Sequence, residues 1–469
     1  MTLVRSTTLD RPALAVVITL TLVACSQIEQ SEISSNPSPI PDRIVLTWTG
    51  DPATSQSVTW RTDETIEQAY VEFAPAVPAS NLMNNSKRVA ATTQSLDLHV
   101  AGLNESFDPN VSYHTAEMAD LRPDTLYAYR VGDSARWSEW FQFRTAASDR
   151  SPFSFIYMGD VQDGILSHWA RTIRAAVSTA PDARFIVYAG DLVNEGHFDA
   201  EWNEWFEASG WIHAGVNVVP ATGNHEYRPL QDRGTADDLA LQWRPQFSLP
   251  TDSEIASELH ETVYWIEYQG ARVYVLNSNV YLDEQAEWLR HELEASDVTW
   301  NIAVFHHPVF PSRDAVDRGA IRAAWLSVFE DYGVDLVLQG HDHNYARGHT
   351  AGGTENEAST VYVTSVAGAK MYTFRPDGWE SYAEYGLTLD RAAENTQLFS
   401  VISVAPDVLS FQAYTVTGEL YDAFELHHSN SGSTLLVEGE IGDVTTRTFE
   451  NTVPYEDRWT RRAQRNLTQ

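Results

Sequence analysis

The chain has 469 residues, 43% hydrophobic and 11% aromatic, enough for more than one packed core and too apolar for a disordered chain. Its 65 acidic against 31 basic residues give a formal charge of −34, a surface that repels nucleic-acid backbones and excludes them as expected partners. The single cysteine, Cys25, excludes an intramolecular disulfide.

At the N-terminus, Arg5 and Arg11 precede an apolar run from Ala13 to Val23 that is too short to cross a bilayer and has the layout of an export signal. The run ends in Leu22-Val23-Ala24-Cys25, which resembles the lipobox of bacterial lipoproteins. That resemblance implies a signal peptide over residues 1–24, lipid attachment at Cys25, and export to the bacterial envelope, in the periplasm or at the outer membrane and cell surface. The alternative is an ordinary cleaved signal in which the cysteine is incidental. Residues 25–41, rich in Ser, Asn and Pro, read as a flexible tether.

Residues 42–147 alternate short apolar strands with Gly, Pro and Asp punctuation: Ile44 to Thr49, Ser57 to Arg61, Tyr70 to Ala74, Tyr113 to Met118, Leu126 to Val131 and Trp140 to Arg144. Such spacing predicts a small β-sandwich. The run from Leu121 to Gly132 resembles the tyrosine-bearing turn of fibronectin type III domains. No ligand-type residues cluster there, so this domain is expected to carry no chemistry.

Over residues 152–428 the pattern changes to α/β. Phe153 to Met158, Arg184 to Ala189, Asn217 to Pro220, Ala271 to Leu276, Trp300 to Phe305 and Val334 to Leu338 read as buried strands. Between them, Leu166 to Ala180, Ala200 to Ser209, Glu284 to Ala295 and Ala320 to Tyr332 have helical spacing, which predicts a sheet with helices on its faces. Later strands (Thr360 to Val366, Leu398 to Val404, Val408 to Thr415) are expected to add a second sheet. Tyr227 to Glu261 lacks periodicity and reads as a lid or cleft wall, and residues 429–469 as a polar tail.

Five short segments carry the chemistry: Gly159-Asp160-Val161-Gln162, Gly190-Asp191-Leu192-Val193-Asn194, Gly223-Asn224-His225-Glu226, Phe305-His306-His307-Pro308 and Gly340-His341-Asp342-His343. Four follow apolar runs, at the strand-to-loop switches where open α/β sheets place their sites. A lone Gly-Asp is a common turn, and a lone His is as readily a core imidazole. Together the segments supply carboxylate, carboxamide and imidazole donors in the set that hard metal ions accept, and two such ions side by side activate water against phosphorus. The segments therefore specify a two-metal hydrolytic centre.

Their order and spelling resemble the calcineurin-like metallophosphoesterases. The preceding sandwich and the run Gly340-His341-Asp342-His343-Asn344-Tyr345-Ala346-Arg347 resemble the purple acid phosphatase branch, over roughly residues 43–426. This resemblance implies a four-layer α/β/β/α sandwich behind an all-β fibronectin III-like domain. It also implies hydrolysis of phosphomonoesters by two metal ions, Fe, Zn or Mn, with attack by a hydroxide held at the metals. Carried over by position, Asp160 and His343 hold the first metal, Asp191 bridges both, and Asn224, His306 and His341 complete the second. His225 protonates the leaving group with Glu226 as its orienting acid, or else stabilises the phosphoryl group without proton transfer. His307, Tyr345 and Arg347 are candidates for substrate contact, a surface salt bridge being equally open for Arg347. Trp202 and Trp205 fit helix packing or substrate stacking.

The sequence departs from the family pattern at two positions. The iron-binding tyrosine that colours purple acid phosphatases is Asn194 here. The histidine that many metallophosphoesterases place two after the first Asp is Gln162, whose amide oxygen either ligates the metal or orients a water. Both are assigned to the first metal, and neutral oxygen donors there weaken the preference for Fe(III). Two other readings remain: a phosphodiesterase or nucleotidase of the same superfamily with different pocket walls, and a non-catalytic surface binding module with a degenerate metal site.

Overall fold

The computed structural model describes residues 37–97, 110–227, 239–313, 319–352, 357–375, 380–428 and 434–446. Cys25, the expected signal peptide and most of the tether lie outside the described residues. Among the described residues, no helix is long and apolar enough to cross a membrane.

The N-terminal domain is a sandwich of two four-stranded antiparallel sheets. Asp42–Thr47, Gln56–Asp63, Asn110–Met118 and Thr92–Asp97 form one; Lys87–Ala90, Tyr70–Pro75, Leu126–Gly132 and Phe141–Arg144 form the other, each in that order. Strand alternation turns Val58, Trp60, Ala116 and Met118 of one sheet inward against Val71, Phe73, Tyr129 and Val131 of the other. The tyrosine-bearing turn is realised: Tyr127 Oη accepts the backbone N–H of Arg122 at 2.9 Å. Lys87–Ala90 and Thr92–Asp97 were not legible as strands. They lie at sheet edges, where charged and polar sequence is favoured over an apolar pattern.

In the second domain, Asn217–Ala221, Phe185–Ala189 and Phe153–Met158 pair in parallel, and Leu398–Val404, Val408–Thr415 and Leu420–His428 continue that half antiparallel. The other half runs Tyr264–Tyr268, Ala271–Val275, Trp300–Val304, Leu336–Gln339 and Glu357–Thr364, parallel after the first pair. Period-two alternation produces the layers. Val273, Ile302, Leu336 and Leu338 face the first half and share one core with Ile156, Val187 and Val218. Their neighbours Tyr274, Ala303 and Val337 face the other way, onto Trp288 and Leu289 of helix Leu282–Ala295 and Trp325 and Phe329 of helix Gly319–Asp331. Ile173 of helix Ala170–Thr179 and Trp202 and Trp205 of helix Asp199–Ser209 cover the opposite side. The architecture is the expected α/β/β/α sandwich, and the two tryptophans are core packing.

One boundary differs from the expectation. Thr434–Glu438 is a strand that pairs with both Leu420–His428 and Glu357–Thr364, so the domain extends past residue 428 and its two halves are joined. In the segment read as a lid or cleft wall, residues 239–261 pack inward, which a wall can do and a free lid cannot. Trp243 and Phe247 are fully buried, and Phe247 lies against Trp202 and Trp205 at 6.0 and 5.8 Å.

This buried segment also meets the sandwich. Arg43 grips Asp199 with two bonds of 2.7 Å and reaches Gln246 at 3.3 Å, while Arg61 reaches Asp199 at 3.2 Å. Gln56 and Asn217 exchange side-chain hydrogen bonds, and Trp48 packs edge-on against Phe185 and tilted against Tyr268 inside the second domain's core. The domains thus share a desolvated interface.

Candidate metal centre

The ligand-bearing segments converge at one edge of the layered core because each follows the C-terminal end of a parallel strand or its direct continuation. To turn side chains inward within one or two residues, the backbone adopts left-handed conformations at Asp160 (φ 37°), Asp191 (φ 52°), His341 (φ 74°) and His343 (φ 50°). Such conformations are uncommon for non-glycine residues and persist where packing over-determines them. The preceding glycines leave the needed room. A Cβ on Gly190 would sit 2.8 Å from His306 Nδ1, and one on Gly223 would sit 2.1 Å from Asp191 Oδ1.

Asp191 lies at the centre. Its Oδ1 accepts the backbone N–H of His225 at 3.0 Å, and its Oδ2 accepts Gln162 Nε2 at 2.7 Å and lies 3.2 Å from His306 Nε2. On one side His343 Nε2 lies 3.4 Å from Asp160 Oδ1 and 3.1 Å from Gln162 Nε2. On the other, His306 Nε2 stands 3.2 Å from both Asn224 Oδ1 and His341 Nδ1. Ligand atoms of Asp160, Asp191 and His343 all fall within 4.8 Å of one another, as do those of His306, His307 and His341. Outer hydrogen bonds fix the ring faces: His306 Nδ1 pairs with the Ala189 carbonyl at 2.9 Å and His343 Nδ1 with the Lys370 carbonyl at 3.0 Å, turning both Nε2 atoms inward.

The electrostatics of this cluster suit cations. Burial raises the Asp160 carboxyl well above its usual range, and the Asp191 charge adds to the effect. Burial acts in the same direction on Asp191, but His225 and His306 outweigh it and hold that carboxyl well below the usual range. The same Asp191 charge lifts His306 to about 9 against its burial. Two buried oxygens, Asp160 Oδ1 and Gln162 Oε1, accept no hydrogen bond, and a hard cation is the partner that such oxygens take. Gln162 is therefore suited to the first-metal position: turning its amide over would present the oxygen where the nitrogen now faces His343 and Asp191.

Three expected roles change. Tyr345 and Arg347 do not reach a cleft mouth. They share one face of strand Tyr345–Ala351 and are fully buried, Tyr345 on Asp422 at 2.7 Å and Arg347 on Asp422, Glu438 and Asp390, so every guanidinium nitrogen is engaged. Asn194 acts through its main chain, its N–H bonding Glu201 at 2.6 Å and its carbonyl receiving His225 Nδ1 at 2.6 Å; no hydrogen bond joins its carboxamide to the ligands. Glu226 does not orient His225. Its carboxylate accepts the backbone N–H groups of Asp191, Leu192, Val193 and Gly223, clamping the second and third ligand segments together. Nothing in its sequence position separated that role from the one expected. Ser278 was also missed: its Oγ receives the His307 N–H at 3.0 Å and meets His307 Nδ1 at 2.9 Å, placing this imidazole beside His341.

Residues 153–345 match the family model of the calcineurin-like phosphoesterases, and residues 41–145 that of the purple acid phosphatase N-terminal domain. The chain carries a calcineurin-like phosphoesterase domain. Its fold and donor set are those of that domain. The purple acid phosphatase from yellow lupin seeds superposes with a TM-score of 0.68 at 18% identity, over 84% of this chain and 75% of that one. PhoD does so with 0.61 at 11%, over 93% and 98%. An uncharacterized protein of Mycobacterium tuberculosis is 28% identical over 63% of this chain and 60% of its own length. Purple acid phosphatase 1 of Ipomoea batatas is 26% identical over 57% and 59%. The chain thus spans about three fifths of the length of these curated relatives.

Proposed function

We propose that the chain is a metallophosphoesterase that hydrolyses phosphomonoesters. The observation that carries the reading is the meeting of two donor clusters at one buried carboxylate, Asp191. Asp160, Gln162 and His343 would hold one ion and Asn224, His306 and His341 the other, with Asp191 shared. Bound there, the ions would supply the positive charge that acidifies a water and neutralises phosphoryl oxygens. The protein fixes the donors and keeps the site largely buried. A metal-dependent turnover of p-nitrophenyl phosphate exceeding that of bis-p-nitrophenyl phosphate, and lost in Asn224→Ala, is expected. A preference for the diester would favour the phosphodiesterase reading, and no turnover of either with Mn, Zn or Fe supplied would favour the binding module.

His225 is proposed as the general acid. Its Nδ1 is held by the Asn194 carbonyl, and its Nε2 lies 3.6 Å from Asp191 Oδ2, at the edge of the cluster. His225→Ala should lower kcat by about 10²-fold on an alkyl phosphate and far less on the nitrophenyl ester, whose leaving group needs no proton. Equal losses on both would leave only the electrostatic role.

Metal identity belongs to the same proposal. With Asn194 in place of a phenolate, the loaded protein should show no visible charge-transfer band, which an absorption spectrum beside metal analysis would check. Export and lipid anchoring at Cys25 are supported by the sequence pattern alone. Labelled palmitate should enter the wild type and not Cys25→Ser.

A further inference from the structure

We propose that Lys370 anchors a phosphoryl oxygen and makes the site select dianionic monoesters over monoanionic diesters. The proposal rests on the phosphatase reading above. Lys370 lies in the segment after strand Glu357–Thr364, which is stitched to the first-metal side of the site. Ala367 N–H bonds the Gly159 carbonyl at 2.7 Å, Gly368 N–H that of Asp160 at 2.8 Å, and Tyr372 N–H that of His343 at 3.0 Å. A Cβ at Gly368 would come within 2.6 Å of the Gln162 carbonyl, so the two backbones pack directly and no side chain fits between them. The Lys370 carbonyl itself takes His343 Nδ1, which ties its backbone to a ligand ring.

The side chain carries the argument. Lys370 is only 7% exposed, yet no carboxylate stands within ion-pair distance of its ammonium among the described residues. The ammonium stands 5.6 Å from the Tyr372 ring, which also carries the Arg313 guanidinium at 3.4 Å and packs against His343 at 5.0 Å. In a chain with 65 acidic residues, a mostly buried lysine without a carboxylate partner leaves its ammonium open to an anion. An ammonium is a compact point charge that suits a phosphoryl oxygen. A monoester approaches two negative charges at neutral pH, with its second pKa at about 6, whereas a diester keeps one. Lys370 is thus the group that would distinguish them.

The test uses the metal-loaded full chain with inorganic phosphate, p-nitrophenyl phosphate and bis-p-nitrophenyl phosphate as probes. Lys370→Met, which keeps the stem's bulk, should weaken phosphate binding in calorimetry by about tenfold or more and lower the monoester-to-diester ratio of kcat/KM comparably, chiefly through KM. Metal content and melting should be unchanged, and Lys370→Arg should recover part of both. Equal losses on the two esters with unchanged phosphate affinity would overturn the proposal. If Lys370→Met loses metal, Lys370→Arg decides: retained monoester preference supports the charge, and a diester-level ratio overturns it. A wild type that turns over neither ester, yet binds phosphate more tightly than Lys370→Met, would sink the phosphatase reading and leave the anion anchor standing.

Discussion

Asp191→Ala should lower kcat/KM for p-nitrophenyl phosphate by about 10³-fold or more, roughly 4 kcal/mol of transition-state stabilisation. The Asp191 side chain meets donors of both clusters: one carboxylate oxygen meets the His225 N–H and the other meets Gln162 and His306. Removing it therefore affects both ions, whereas Asn224→Ala removes one donor from one cluster. Elemental analysis should find fewer than two ions per chain in Asp191→Ala. Asp191→Asn separates charge from shape, since it can keep a hydrogen bond to His225 but brings no negative charge to share. It should be nearly as inactive, with a native circular dichroism spectrum. Full turnover and two bound ions in either variant would sink the bridging role.

The second large effect lies away from the chemistry. Asp199→Ala should destabilise the protein by about 3–5 kcal/mol, because it removes the carboxylate that the buried Arg43 guanidinium grips with two bonds and leaves Arg61 with Asp42 alone. Asp199 tests this through pH as well. Burial acts to raise its carboxyl, but Arg43 and then Arg61 prevail and hold it below its ordinary range. A depressed folded pKa means stability that is complete above the unfolded value of about 3.9 and is lost as pH falls through the folded value. Urea midpoints of the wild type should therefore fall below about pH 4 by more than those of Asp199→Asn, which lacks this titration. Parallel pH profiles would show that the pair contributes nothing to the linkage.

How much was legible follows from where the information sits. The strands that carry ligands are buried on both faces, so their apolar runs stood out, and ligand types at their ends were visible one by one. Edge strands such as Lys87–Ala90 and Thr92–Asp97 have no such signature. Tyr345 and Arg347 show the limit most clearly. Being two apart, they were bound to share a face once the chain became a strand, but which face depends on pairing with Glu357–Thr364 and Leu387–Ala393, and that pairing turned both toward Asp422.

The sequence by itself determined the donor chemistry, the alternation of buried strands with helices and the order of the ligand segments, because residue type and hydrophobic period are local properties. Tertiary structure alone decided what those residues do for one another: that Glu226 clamps backbone amides, that Arg43 pairs with Asp199 across the domains, and that Lys370, mostly buried beside His343, has no carboxylate partner among the described residues. Each depends on groups far apart in the chain becoming desolvated together, and desolvation sets the strength of charge and hydrogen bonding. No local pattern encodes it.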